Sequence, residues 1–183
     1  MGSVTTEEYQ AMRFGSKNPV RQMQGARSRA KGAAFEQRLD ATFAAYRRLG
    51  TAVICKTPEP MRPVKGLGHG RFEAFYEKKA QPDYEGTLRG GQSVVFEAKY
   101  TDDKKMAQSR VSATQAQYMT EKAALGARCY VVAGFGTGNV YCVPWALWAD
   151  MQVIFGRKYV TEEQLAPYRA ASAPDGMLLL AGI

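Results

Sequence analysis

The sequence predicts an α/β fold in which a mixed β-sheet carries helices on its faces. Apolar residues recur at steps of three and four between about residues 30 and 49, which is typical of an amphipathic helix. The stretch QPDYEGTLRGGQSVVFEAKY, residues 81–100, indicates two short strands joined by a turn at Gly90–Gly91. The predicted order is a helix, three strands, a helix, two strands and a helix, and this order gives a mixed sheet flanked by helices.

The first part of the chain supplies a helix, a strand and a long connection. The apolar stripe of the helix consists of Phe35, Leu39, Phe43 and Tyr46. Gly50 provides its stop, and TAVICK, residues 51–56, reads as a strand. Residues 57–80 contain three prolines and leave the compact pattern before the next strand. A connection this long inside a small domain is usually functional or mobile.

The second part of the chain returns to short, regular elements. A polar loop at residues 101–109 leads into a helix around Val111–Leu125. The segments ARCYVVAGF and NVYCV are then predicted to be strands. Pro144 occupies the first turn of a following helix, and another short helix is expected to begin near Thr161.

Length and composition limit the classes of protein to consider. A chain of 183 residues is expected to form one domain with a sizeable core. No apolar run approaches the roughly 20 residues that span a bilayer, and the start MGSVTTEEYQ has no signal pattern. We expect buried, reduced thiols at Cys55, Cys129 and Cys142, which suits the cytoplasm. The single histidine, His69, leaves almost no material for a zinc or Ser-His-Asp mechanism.

Positive charge is concentrated near the N-terminus. The formal net charge is +8, and residues 1–50 hold nine Lys/Arg against four Asp/Glu. The basic residues between Glu8 and Glu36 are Arg13, Lys17, Arg21, Arg27, Arg29 and Lys31. Such a segment is either a solvated tail or an arm that follows a polyanion backbone and releases counterions on binding.

The long connection also mixes basic and aromatic side chains. Its basic residues are Lys65, Arg71, Lys78 and Lys79, and they lie beside Phe72, Phe75 and Tyr76. This mixture suits nucleic acid, because aromatic rings stack on bases while cations contact phosphates. A packed, projecting hairpin would have the same composition.

The two central strands bring a pair of carboxylates together. Asp83 begins one strand, while Glu97 and Lys99 share one face of the next. Two carboxylates at close range repel each other unless a cation lies between them, and Mg²⁺ accepts such a pair while keeping several waters. Lys99 is then placed to orient an attacking water or to offset developing negative charge. The alternative is a cross-strand ion pair on a wet sheet face.

This pattern resembles the PD-(D/E)xK nuclease superfamily: Pro82–Asp83 is followed by Glu97–Ala98–Lys99. More narrowly, the chain is similar to the RecU-type Holliday-junction resolvases over roughly residues 31–148. The similar segments are KGAAFEQRLDATFAAYRRLGTAVICKTPEP, DYEG, FEAKYT, QAQYM and ARCYVVAGF. Two features depart from the family: Gln81–Pro82 replaces a threonine-rich lead into the aspartate, and the connection is rich in glycine.

The resemblance implies a fold, an activity and roles for particular residues. The fold would be a restriction-endonuclease-like mixed β-sheet flanked by helices, with a projecting stalk insertion at residues 58–80 that enters the centre of a DNA junction. The protein would be a homodimeric endonuclease for branched DNA that depends on Mg²⁺, for which Mn²⁺ substitutes. The metal site would use Asp83, Glu97 and Gln115; Lys99 would be the catalytic lysine, and Glu36 matches a further carboxylate position.

The chain is expected to divide into a basic arm at residues 1–30, a nuclease domain at 31–160 and a C-terminal helix and tail at 161–183. Two other functions fit the same residues. One is a nuclease of the same fold that acts on flaps, nicks or DNA ends without preferring four-way junctions. The other is a catalytically silent DNA-binding accessory protein of recombination. This second protein would use the basic arm and the stalk, and its mark would be tight DNA binding without Mg²⁺-dependent cleavage.

Overall fold

The computed structural model describes residues 19–58, 61–76, 81–173 and 176–180. Four of the predicted DNA-binding residues lie outside these ranges: Arg13, Lys17, Lys78 and Lys79. No helix within the described ranges is long and apolar enough to cross a membrane.

Strands and helices follow one another in the order expected for a mixed α/β chain. The strands are β1 Ala52–Lys56, β2 Met61–Gly68, β3 Arg71–Tyr76, β4 Tyr84–Leu88, β5 Ser93–Thr101, β6 Lys105–Ala107, β7 Arg128–Phe135, β8 Val140–Pro144, β9 Tyr159–Thr161, β10 Ala171–Ala173 and β11 Gly176–Leu178. The α-helices are α1 Pro19–Arg48, α2 Ala113–Ala124, α3 Trp145–Ala149, α4 Met151–Phe155 and α5 Glu162–Leu165.

The central sheet has five strands in the order β1-β4-β5-β7-β8. The pair β5–β7 is parallel, and the other neighbours are antiparallel. Apolar residues cover both faces: Phe35 and Leu39 of α1 pack with Phe96, while Met119 of α2 and Trp148 pack in a second cluster on the other face. The predicted mixed sheet flanked by helices is therefore confirmed.

Helix α1 is longer than its apolar stripe predicts. It begins at Pro19 instead of near residue 30, so residues 19–30 of the predicted arm are helical. Residues 20–30 are exposed apart from the half-buried Gly25, and their sequence has no continuous apolar stripe that would predict a helix. Arg, Gln, Met and Ala, which favour helix intrinsically, dominate this stretch instead.

Two local expectations are wrong. The predicted polar loop at residues 101–109 contains strand β6, which pairs with β9 and buries the side chain of Met106.

Cys55 is exposed, whereas Cys129 and Cys142 are buried as expected. Strand β1 lies at the edge of the sheet, and only the side of the strand that carries Ala52 and Ile54 faces the core. Cys55 projects from the other side of that strand.

Strands β2 and β3 form a separate antiparallel hairpin between β1 and β4. Every residue of β2 is exposed, and the described part of β3 is exposed apart from half-buried Ala74. Because β1 and β4 are antiparallel neighbours with Lys56 opposite Tyr84, the hairpin emerges at that end of the sheet. The long connection is therefore a projecting hairpin with little core of its own.

Candidate active site

Strand β5 positions Glu97 and Lys99 directly after its buried apolar residues. Its Val94, Val95 and Phe96 are fully buried, since β5 lies between β4 and β7 with helices on both faces. Side chains alternate along the strand, so Glu97 follows Val95 onto the face that packs against α2, and Lys99 follows it in turn. A buried apolar strand thus fixes the position of two charged groups at its end.

Glu97 is completely buried. Its Oε1 accepts hydrogen bonds from Lys99 Nζ and from Gln115 Nε2, the latter at 2.8 Å. Its Oε2 is buried with no donor in contact. A buried carboxylate oxygen without a partner is energetically unfavourable, so this atom is the part of the site that most needs a cation or a proton.

Asp83 lies beside Glu97 because of the register between β4 and β5. Tyr84 is paired with Phe96, so the preceding Asp83 reaches the level of Glu97 and Ala98. The backbone N–H of Ala98 donates to Asp83 Oδ2 at 2.9 Å, which holds the aspartate in place. The sequence separation of fourteen residues is thus closed by the turn between the two strands, as predicted.

Burial raises the pKa of Glu97 to about 7, and the nearby negative charge of Asp83 adds to the increase. The Lys99 ammonium acts in the opposite direction without cancelling these effects. Ionised carboxylates are only acceptors, so Asp83 cannot donate to the free Glu97 oxygen while both are charged. Without a cation, Glu97 is therefore about half protonated near neutral pH.

This pKa predicts how the stability of the metal-free protein depends on pH. A carboxyl whose folded pKa exceeds its unfolded value stabilises the fold below the unfolded pKa, and the contribution disappears as pH rises through about 7. Between pH 5 and pH 8 we expect a loss on the order of 2 kcal/mol from Glu97. Urea unfolding in EDTA measures it. The difference should be absent from Glu97→Gln, and a loss of the same size in that variant would assign it to other groups.

Gln115 links helix α2 to the buried carboxylate. Its Oε1 accepts from the backbone N–H and the hydroxyl of Ser112, both at 3.1 Å, within the capping box that begins α2. Its Nε2 is then directed at Glu97. Gln115 is 5% exposed, so both ends of the amide are used inside the protein. In this arrangement Gln115 orients Glu97 through a hydrogen bond.

Glu36 lies in a second polar group on the α1 side of the sheet. Its Oε2 accepts from Lys56 Nζ at 2.6 Å, and Tyr84 donates its hydroxyl hydrogen bond to Asp40 Oδ1 at 2.8 Å. The pKa of Lys56 is raised, chiefly by the hydrogen bond to Glu36 and also by the charges of Asp40 and Asp83. Asp83 is thus the residue through which this group adjoins the Glu97 site.

Lys56, Asp40 and Tyr84 were not singled out from the sequence. Burial and the bond to Asp40 raise the pKa of the Tyr84 hydroxyl, which stays protonated and donates. A lysine that ends a strand within the similar segment TAVICK was the available signal for Lys56. Its contact with Glu36 depends on how α1 crosses β1, which no local spacing encodes.

The described DNA-binding candidates lie on two projecting elements. Arg21, Arg27 and Arg29 are exposed on the N-terminal half of α1. Lys31 follows them and pairs with Asp102 at 2.7 Å. The hairpin carries Lys65 and Arg71, both exposed.

The site offers a divalent cation two carboxylates. No three His, Cys, Asp or Glu side chains converge on one point within the described ranges. Two carboxylates do, and the unpartnered Glu97 Oε2 is the buried oxygen that a cation would satisfy. Mg²⁺ binds through one or two carboxylates while retaining waters, so Asp83 and Glu97 fit it.

A mixed sheet whose adjoining strands present Asp83, Glu97 and Lys99, with one buried Glu97 oxygen free, is typical of the PD-(D/E)xK class of nucleases. Similarity to known proteins narrows this class to one family. Residues 30–173 match the family described as Recombination protein U, RecU. The chain belongs to the RecU family.

Two relatives and one solved structure are described as Holliday junction resolvases. The chain is 29% identical to the Holliday junction resolvase RecU of Geobacillus thermodenitrificans, with 88% of this chain and 84% of that protein covered. It is 30% identical to the Holliday junction resolvase RecU of Geobacillus kaustophilus, over 74% and 72%. A solved structure of Archaeoglobus fulgidus Hjc, a Holliday junction resolvase, has a TM-score of 0.41 at 16% identity, over 63% of this chain and 78% of that one.

Proposed function

We infer that the chain is a Holliday-junction-resolving endonuclease that depends on a divalent metal, with Mg²⁺ as the natural ion and Mn²⁺ as a substitute. Its family membership supports the reaction class. The observation that supports the chemistry is the pair Asp83 and Glu97, with one buried carboxylate oxygen that has no donor. Phosphodiester hydrolysis needs a positive centre beside an activated water. The carboxylates of Asp83 and Glu97 would hold a metal ion that provides this centre.

We propose that Asp83 and Glu97 hold the metal, and that Gln115 serves the metal site through its bond to Glu97. When bound, the ion supplies Lewis-acid stabilisation of phosphoryl oxygens and lowers the pKa of a bound water. Glu36, held by Lys56 at the border of the site, is a proposed accessory carboxylate.

Lys99 supplies the remaining catalytic charge in this mechanism. Its side chain is 17% exposed, so its ammonium lies between the buried Glu97 and the solvent from which DNA approaches. A fixed cation there stabilises charge that develops on the phosphate oxygens as the bond to the leaving oxygen breaks. The ion pair with Glu97 keeps the ammonium oriented before substrate arrives.

Branched DNA suits the arrangement of the projecting parts. The hairpin β2–β3 emerges at the end of the sheet where Asp83 precedes β4. It therefore projects from the same end of the sheet as the proposed active site. The cations of α1 contact outgoing duplexes in this proposal. Symmetric cuts in two strands require two active sites, which we propose come from a two-fold homodimer. We propose that the protein acts in the cytoplasm, which a DNA substrate supports.

The domain division follows from these roles. We propose that the basic arm at residues 1–30 grips DNA and that residues 31–160 form the nuclease domain with the stalk at 58–80. Residues 161–183 complete the domain. In the described part of that segment, the backbone N–H of Leu179 donates to Tyr46 Oη at 2.8 Å, which fastens the C-terminal hairpin to α1.

The experiment that tests this function compares DNA shapes. Labelled four-way junction, duplex and flap DNA are incubated with the protein in EDTA, Mg²⁺ or Mn²⁺. Metal-dependent, paired cuts in the junction are the expected result. Faster cleavage of flaps than of junctions indicates the broader nuclease, and tight binding without metal-dependent cleavage indicates the silent accessory protein.

The stalk is tested by its replacement. When residues 58–80 are exchanged for a short Gly/Ser turn, duplex binding should be retained while the preference for four-way junctions is lost, because the exposed hairpin contributes little to the core. Competition binding between junction and duplex measures the preference. A stalkless protein that still selects junctions would show that recognition lies elsewhere.

A further inference from the structure

A groove opens beside the active site on the side that faces the basic helix. It has a volume of about 340 Å³ and lies between α1, at Ser28 and Gly32, and the chain from Ala98 to Asp103. Lys99 lines it, so the groove is continuous with the Glu97 site. A Cβ added to Gly32 would meet no atom within 4 Å, so the absence of a side chain keeps this wall open.

The lining residues of the groove carry two positive and two negative charges. Arg110 lines it, and one of its guanidinium nitrogens donates to the backbone oxygen of Tyr100 at 2.6 Å. Guanidinium has five N–H donors, so this bond leaves others for a ligand. Among the lining residues, the opposing charges are Asp102 and Asp103.

The first of these acidic residues is neutralised. Lys31 pairs with Asp102 at 2.7 Å, and the Tyr100 hydroxyl donates to the same oxygen at 3.1 Å. Lys31 and, more weakly, the charge of Arg27 lower the pKa of Asp102. Arg27 and Lys31 thus add positive charge beside the groove, and Arg110 is the lining cation that pairs with no carboxylate among the described residues.

We propose that this groove is a subsite for the DNA strand being cut, and that it holds the backbone phosphate next to the scissile one, with Arg110 as its principal contact. The proposal rests on the nuclease function proposed above. Lys99 lines the groove and its ammonium pairs with Glu97, so in this proposal a strand whose scissile phosphate lies at Glu97 continues past Lys99 into the groove. A volume of about 340 Å³ is that of a small-ligand site and suits one strand instead of a duplex.

Two helix variants with the same charge test the groove. Ser28→Glu places a carboxylate in the groove, whereas Ala30→Glu places one about 200° away around the same helix. Both positions are exposed, so neither change disturbs the core. Single-turnover cleavage of four-way junctions and binding in EDTA are measured for both full-length variants.

Ser28→Glu should slow cleavage about 10-fold or more relative to Ala30→Glu, and it should weaken DNA binding more than Ala30→Glu does. The reason is that the phosphate in the groove then meets a like charge. Equal effects of the two variants on both rate and binding would overturn the subsite. A difference in binding without any cleavage by the unaltered protein would retain the groove and overturn the nuclease function.

Arg110→Gln provides a second, independent measurement. It should reduce the slope of log affinity against log salt by about 0.7 to 0.9, the value for one phosphate contact. Arg128→Gln is the matched control, because Arg128 is exposed and pairs with Val94 at the other end of β5. Identical slopes for the two variants would contradict the assignment of Arg110. Circular dichroism verifies that the loss of the Tyr100 bond leaves the fold intact.

Discussion

Glu97→Gln and Asp83→Asn are each expected to reduce junction cleavage by more than about 10³-fold, a loss of roughly 4 kcal/mol in transition-state stabilisation. Each change keeps the size of the side chain and removes a charged oxygen from the proposed metal site. Binding of junction DNA should change little, because affinity comes mainly from phosphate contacts elsewhere.

The measurement is single-turnover cleavage in Mg²⁺ with binding followed in parallel. Glu163→Gln is the matched control, since Glu163 is exposed on α5. Near-normal cleavage by either site variant would show that the metal is held by other residues. Loss of both binding and fold would instead place the carboxylate in the structure of the domain.

Lys99→Ala is expected to lower the cleavage rate by about 10² to 10³-fold, the effect of removing one preorganised group that stabilises developing charge. The loss should remain at saturating metal. Lys99 also pairs with Glu97, so its removal raises the tendency of Glu97 to hold a proton. Rates are therefore measured at pH 8.5 and at increasing Mg²⁺.

Lys104→Ala is the control for this variant, because Lys104 is an exposed lysine in the turn that follows β5. If added metal or higher pH fully restored the rate of Lys99→Ala, the lysine would act by maintaining Glu97 in its ionised form. A rate defect that persists under both conditions assigns the ammonium to the reacting phosphate.

The central strands and their chemistry were predictable from the sequence. Val94, Val95 and Phe96 identify a buried strand, and the alternation that follows assigns Glu97 and Lys99 to one face. The tight turn at Gly90–Gly91 then fixes the antiparallel partner and brings Asp83 alongside. These relations span fewer than twenty residues, and strand geometry alone determines them.

Other parts of the site required the tertiary structure. The helix that begins after Ser112 is predicted from the sequence, but its capping box is not. The sequence therefore does not predict that the Gln115 amide binds both Ser112 and Glu97. The pairing of Lys56 with Glu36 depends on the crossing of a helix over an edge strand. The distance between two such elements is set by the apolar side chains packed between them.

The sequence by itself determined the fold class, the carboxylate pair, the lysine and the basic N-terminal region. Only the tertiary structure decided that helix α1 extends back to Pro19, that Lys31 reaches Asp102 and that a groove opens beside Lys99, between α1 and the end of β5. The reason is physical. Periodicity and short spacings are properties of one element, whereas a groove is the space left when elements distant in the chain pack against the same sheet.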